Sequence, residues 1–228
     1  MEPTKLETLL LGLEHEFYLG DIPLNSRTYI PVSLADDNQD VKNIEITDPS
    51  SCEFYIKEYL QKFDASVAYG GYLERRNLYD KTDSFTSSPS GHRNIHLGID
   101  FWAPAGTDVY VPLAGTVHSF KNNTTPGDYG PTIVLEHNVG GEVFYSLYGH
   151  LASSSLTDLV VGKSFQSGAL LATLGTPEEN VNYAPHLHFQ LIVDMQDYKG
   201  DYPGVCAESD LDFYKSNCPD PNLLLKFP

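Results

Sequence analysis

The apolar residues change their period once along the chain, near residue 65. Before that point Leu6, Leu9, Leu10 and Leu13 recur at helical spacing, and Ile56, Tyr59, Leu60 and Phe63 repeat it at i, i+3, i+4 and i+7. The first set predicts a short helix. The second predicts a helix starting at Ser50 or Ser51, either of which can cap it. Between them the polar stretch 21–50 contains Asp36-Asp37-Asn38-Gln39-Asp40, which reads as a solvated loop. From Ser66 onward the apolar runs are short and β-forming, at 109–111, 115–120, 132–137, 142–148 and 186–193. Asn122-Asn123-Thr124-Thr125-Pro126-Gly127 and Asn138-Val139-Gly140-Gly141 stand between them as hairpin turn clusters. No long helical stretch interrupts this block, which disfavours βαβ crossovers. The expected fold is mainly β, a β-rich α+β chain built on an antiparallel sheet or sandwich. The expected organisation is a partly helical N-terminal extension (1–65), a β domain (66–193) and a C-terminal tail packed on it (194–228).

Composition narrows the class. Of 228 residues, 41% are hydrophobic and 12% aromatic, enough to bury a core and too much for a disordered acidic chain. The 31 Asp+Glu against 14 Lys+Arg give a formal net charge of −17, which repels nucleic-acid phosphates and anionic lipid. Neither nucleic acid nor a membrane surface is an expected partner. The longest apolar candidate, Leu9-Leu10-Leu11-Gly12-Leu13, falls far short of the roughly 20 residues of a spanning helix. Met1-Glu2-Pro3-Thr4-Lys5-Leu6-Glu7 lacks the basic start and apolar stretch of a secretory signal. The expected location is cytoplasmic, or secreted or periplasmic if a leader has been removed. Cys52, Cys206 and Cys218 lack CxxC spacing and are too sparse for a disulfide framework, so they are expected as reduced thiols.

The chemistry gathers in three histidine motifs: His96-Leu97-Gly98-Ile99-Asp100, Tyr148-Gly149-His150 at a strand end, and His186-Leu187-His188 opening a strongly β-forming run. Alternate side chains of a strand share a face, so His186 and His188 are expected to point into one cleft. His96 and Asp100 can converge there across a strand or its terminal bend. Three nitrogen and oxygen ligands with one open position are what a catalytic zinc site requires, whereas structural sites fill all four positions, usually with thiolates. By ligand type nickel, cobalt or manganese could substitute. Such an ion lowers the pKa of its water to about 7 and polarises a carbonyl. Each motif alone is weak; their occurrence together in one β-rich block is what carries weight.

In order and spacing, these motifs together with Ala103-Pro104-Ala105-Gly106-Thr107, Gly115-Thr116-Val117, Leu147-Tyr148-Gly149-His150-Leu151 and Pro185-His186-Leu187-His188-Phe189 resemble the lysostaphin/LytM-type zinc metallopeptidases, over residues 92 to 193. The resemblance implies a mainly antiparallel β domain with a groove over the metal. It implies Zn2+ held by His96, Asp100 and His188. His186 and His150 are implied to act as general base and oxyanion stabiliser, in an order left open, and Tyr148 either assists or is a strand aromatic. The tail and Arg75-Arg76-Asn77-Leu78-Tyr79 resemble a leaderless branch of that family.

The expected function is therefore a zinc-dependent metalloendopeptidase that hydrolyses an amide with a metal-activated water, in peptidoglycan-type or Gly/D-residue peptides, with a peptide or muropeptide as partner and the oligomeric state open. Two alternatives stand beside it: a zinc hydrolase of a cytoplasmic small peptide or amide, and a non-catalytic binding or regulatory module of the same fold. Residues 1–65 either complete the core or act as a flap on the groove. His15, His92, His118 and His137 have no partner spacing and read as surface or sheet residues.

Overall fold

A computed structural model describes residues 3–14, 18–23, 28–76 and 91–226. His15 and Asn77-Leu78-Tyr79 lie outside the described residues. The chain is strand-rich, as its pattern implies. Its largest sheet has eight strands in the order β11 (Ser164–Phe165), β8 (Gly115–Asn123), β9 (Gly130–Val139), β10 (Glu142–Gly149), β13 (His186–Ile192), β6 (Ile99–Trp102), β4 (Val67–Gly70) and β3 (Tyr29–Pro31). All pairings in it are antiparallel except β3 with β4. A second sheet runs β12 (Leu170–Thr173), β7 (Asp108–Tyr110), β1 (Tyr18–Leu19) and β2 (Ile22–Pro23), and β14 (Val205–Ala207) pairs with β5 (Arg93–His96).

The central strand β13 is buried at all seven positions, yet its two faces differ. Leu187, Phe189 and Leu191 enter the main core with Ile99 and Phe101 of β6, Ile133 and Leu135 of β9, and Phe144 and Tyr148 of β10. Val109, Leu171 and Ala172 of the second sheet close that core from the other side, which makes the two sheets a sandwich. The even-numbered residues of β13 face the opposite way. Ile192 joins a second cluster with Ile95, Leu147, Tyr202, Cys206 and Cys218, while His186 and His188 open onto the site.

Residues before 65 are woven into this framework. Helix α1 (Lys5–Leu11) starts in a capping box, the Glu7 N–H donating to Thr4 Oγ1 at 3.2 Å and the Thr4 N–H to Glu7 Oε2 at 2.6 Å. Leu6 and Leu10 enter the main core beside Leu224 and Leu225 of α4 (Asn222–Leu225), and Lys226 Nζ donates to Leu10 O at 2.8 Å. Helix α2 (Pro49–Phe63) does not start at Ser50 or Ser51: Asp48 caps it, accepting from the Ser51 N–H at 2.7 Å, with Pro49 in the first turn where its missing N–H costs nothing. The polar stretch also hides β3, whose three residues extend the large sheet. The 122–127 cluster turns later than its composition implies, since β8 runs through Asn123. In the tail, α3 (Leu211–Asn217) packs against β14, and the Val193 N–H donates to Asn217 O at 2.8 Å. All three cysteines are free and buried.

His118 lies on β8 against Tyr145, and His92 is exposed. His137 sits inside the sheet: its Nδ1–H donates to Ala114 O at 2.9 Å, so Nε2 accepts from the Ser146 hydroxyl at 2.7 Å. Burial pushes its pKa down to about 4.

Leu10 is fully buried between the N- and C-terminal segments and the sheets. Leu10→Ala is expected to cost about 2–5 kcal/mol, because a cavity opens where the segment joins the shared core. The urea midpoint measures this, and a loss below about 0.5 kcal/mol, the scale of an ordinary surface substitution, would show that residues 1–65 do not share that core.

Candidate active site

Two registers bring the site together. His188 lies opposite Asp100 and His186 opposite Trp102 across the β13–β6 ladder, and His188 also faces Gly149 of β10. Strand alternation turns Asp100 and Trp102 to the same side as the two histidines. His96 arrives from β5 through the Leu97-Gly98 bend. The bend requires glycine because a Cβ on Gly98 would lie 2.6 Å from His188 Cε1. His150 follows β10 with φ +61°, held there by its N–H donating to Tyr129 O at 2.8 Å and its carbonyl accepting from the Gly175 N–H at 3.0 Å.

The hydrogen bonds fix where the lone pairs point. His96 Nδ1 is 3.0 Å from Gly71 O, an acceptor only, so Nδ1 carries the proton and Nε2 the lone pair. Gln190 Nε2 donates to Pro203 O at 3.2 Å and to Cys218 Sγ at 3.3 Å, which turns Oε1 toward His188 Nε2 at 3.0 Å. His188 Nε2 is therefore the donor and Nδ1 the lone pair. These two bare nitrogens stand 2.9 Å apart, with Asp100 Oδ1 at 3.1 Å from His188 Nδ1 and 3.4 Å from His96 Nε2. Burial and the neighbouring Arg76 push the His96 pKa down to about 4, although Asp100 pulls the other way. Burial alone would raise the Asp100 pKa, but the Arg76 guanidinium, which donates to Oδ2, holds it well below the usual carboxylate range. Three unprotonated donors thus converge within 4.8 Å in a buried place, and their mutual repulsion is relieved by a cation. Two imidazoles and a carboxylate fit a divalent ion of the zinc type, with each imidazole oriented by a hydrogen bond from its other nitrogen.

His186 and His150 stand beside this set, their ring centroids 4.1 Å apart. His186 Nδ1 donates to Ala184 O at 2.7 Å, which leaves Nε2 as a free base 4.0 Å from Asp100 Oδ1. Burial lowers the pKa of both rings, His150's the more strongly, with His186 and His188 adding to it. Trp102 stacks on His186 at 5.9 Å and 22°, and Tyr183 sets its ring edge against both histidines. A cavity of about 290 Å³ opens over the site. Its walls include Leu34, Ile46 and Cys52 from the N-terminal segment and Tyr198 and Asp201–Val205 from the tail.

All five residues singled out in the sequence, His96, Asp100, His150, His186 and His188, lie on this cavity. Tyr148 does not; it is fully buried on the core face against Phe189. Sequence reading passed over Gln190, although its place two residues after His188 put it on the same strand face. It also passed over Gly71 and Glu74, and it named Arg76 only within a family-like run with no role at the site, since no spacing rule connects these residues to the motifs.

Residues 94–199, just under half of the chain, match the family described as Peptidase family M23. The chain is 30% identical over 118 residues to the DD-carboxypeptidase/endopeptidase Mpg of Neisseria meningitidis serogroup B, a match covering 48% of this chain and 25% of that protein. It thus spans about a quarter of the length of the curated relatives it matches. Among solved structures it is 26% identical to the catalytic domain of the antimicrobial peptidase lysostaphin from Staphylococcus simulans, over 58% of this chain and 80% of that one, with a TM-score of 0.40. A zinc-containing peptidase from Vibrio cholerae is 29% identical over 46% of this chain and 30% of that one, at a TM-score of 0.36. The family match thus spans the strands and bends that carry His96, Asp100, His150, His186 and His188.

Acid should unfold the metal-free protein through these rings. A histidine whose folded pKa lies below its unfolded value of about 6.5 contributes stability that is complete above that pH and lost as pH falls through the folded value. His96 and His137, each held at about 4, together with the lowered His150 and His186, place the loss between about pH 6.5 and 4. Urea midpoints in excess chelator should fall steadily across that window; a flat profile would contradict the neutral-ring assignment.

Proposed function

We propose that this chain is a zinc-dependent endopeptidase acting on peptidoglycan-type peptides, those rich in glycine or D-residues. The observation that carries this reading is the set of three bare donor atoms, His96 Nε2, His188 Nδ1 and Asp100 Oδ1, facing two further neutral imidazoles within a segment matched to a peptidase family. The printed name of Mpg, a DD-carboxypeptidase/endopeptidase, supports D-residue peptides as the substrate class.

His96, Asp100 and His188 would hold the zinc ion, which when bound would supply a Lewis acid for the scissile carbonyl and lower the pKa of water toward neutrality. The rest is the work of the chain. His186 Nε2 is the unprotonated atom on the cavity side, so it takes the proton of the attacking water, and the Nδ1–H bond to Ala184 O stabilises the imidazolium that forms. The same atom then returns that proton to the departing amine. His150, its ring centroid 4.1 Å from that of His186 and tilted 36° to it, stands where a hydrogen bond to the substrate oxygen gains strength as charge builds on it. Trp102 and Tyr183 restrict both rings and exclude water from around them.

The net charge of −17 favours a second reading within the same chemistry, a soluble peptide or small amide as substrate, since an anionic wall polymer is repelled. Metal analysis with a mass-spectrometric screen of muropeptides, Gly-rich peptides and simple peptides tests both at once. One zinc per chain and cleavage are expected, and His186→Ala should lower kcat about 10²–10⁴-fold while zinc remains bound. Stoichiometric zinc with no cleavage of any substrate class would overturn the peptidase reading in favour of a binding module, and full activity in His186→Ala would overturn the role of His186 as the base.

A further inference from the structure

The carboxylate of Asp100 is used on both sides. Oδ1 faces His96 and His188, while Oδ2 accepts from Arg76 Nη1 at 2.6 Å. Both side chains are 3% exposed. The guanidinium is in turn anchored, its Nε donating to Glu74 Oε2 at 2.6 Å. Glu74 is anchored through its other oxygen, Oε1, which accepts from the Leu34 N–H at 3.0 Å and the Ser33 hydroxyl at 2.7 Å. A continuous chain of charge-assisted hydrogen bonds thus runs from the backbone beside β3 to the carboxylate of the candidate metal site. The space for it exists because residue 71 is glycine. At φ +108° a Cβ there would run into Arg76 Nη2 and come within 2.9 Å of His96 Nδ1. The same guanidinium lies 5.9 Å from the Trp102 ring, whose stacking partner is His186.

We propose that Arg76, braced by Glu74, is a positioning residue that holds Asp100 as a one-oxygen ligand and thereby sets both the metal affinity and the coordination number of the site. This rests on the metal-site reading above. A planar fork can hold Glu74 and Asp100 at once; an ammonium is a point charge without that geometry. With Oδ2 occupied, Asp100 offers one lone-pair oxygen. The three protein donors then leave room for a reacting ligand. Released from Arg76, the carboxylate is free to turn and chelate through both oxygens, which crowds the open position.

The test compares the full chain with Arg76→Lys, Arg76→Met and Glu74→Gln, each checked for a cooperative urea transition without metal. Zinc dissociation constants come from competition with a chromophoric chelator, and coordination number from the visible absorption of the cobalt(II)-loaded proteins. Arg76→Met should weaken zinc about 10–100-fold, the usual cost of removing a group that orients a ligand. Arg76→Lys and Glu74→Gln should fall between it and the parent. The cobalt band of Arg76→Met should lose intensity as coordination rises above four. Folded variants that bind zinc within twofold of the parent and keep its cobalt spectrum overturn the proposal and leave the metal-site reading intact. A parent that binds no zinc overturns that reading, and this proposal with it. If Arg76→Met fails to fold, Arg76→Lys and Glu74→Gln decide by the same two readouts.

Discussion

Asp100 carries a full negative charge inside the protein, and the surrounding structure is organised around that cost. An isolated buried carboxylate would neutralise itself by taking up a proton. Here the Arg76 guanidinium, donating to Oδ2 at 2.6 Å, holds it ionised. The imidazoles of His96 and His188 are oriented by Gly71 O and Gln190 Oε1, so their lone pairs turn inward. The arrangement concentrates negative potential at a place with no proton to satisfy it. That is a poor design for a stable core and a good one for a cation.

One strand separates the two jobs of the molecule. The odd-numbered side chains of β13 hold the sandwich together, and on its other face His186 and His188 line the cavity. A dry, close-packed face behind the histidines means that their backbone cannot shift without disturbing Leu187, Phe189 and Leu191. The walls of the cavity come from elsewhere in the chain: Leu34, Ile46 and Cys52 on one side, Tyr198 and Asp201–Val205 on the other.

The legible part of this fold was the part with a period. The alternation of His186-Leu187-His188-Phe189 placed both histidines on one face, and apolar runs broken by Gly, Asn and Pro marked the long hairpins β8 to β10. The five candidate residues could be read because their motifs are local. Strand β3 could not be read: Tyr29–Pro31 has three residues, sits in a polar stretch, and gains its meaning from a parallel partner nearly forty residues later. Glu74 and Arg76 escaped for a related reason. An i, i+2 charge pair looks like solvated surface until the fold brings Ser33, Leu34 and Asp100 to it. Helix α2 was displaced by two residues because Asp48-Pro49 is a stronger start than either serine after it.

Trp102 is the only tryptophan in the chain, and it is almost wholly shielded from water, flanked by the Arg76 guanidinium and the ring of His186. Excitation at the red edge of protein absorption therefore selects one indole, seated within the site itself. Its neighbours are a fixed cation and a ring that gains charge when protonated, and a charged imidazole is an efficient quencher of indole emission. The protein consequently carries a built-in optical probe: the emission of one side chain reports on the surroundings of the cavity it lines, with no label attached.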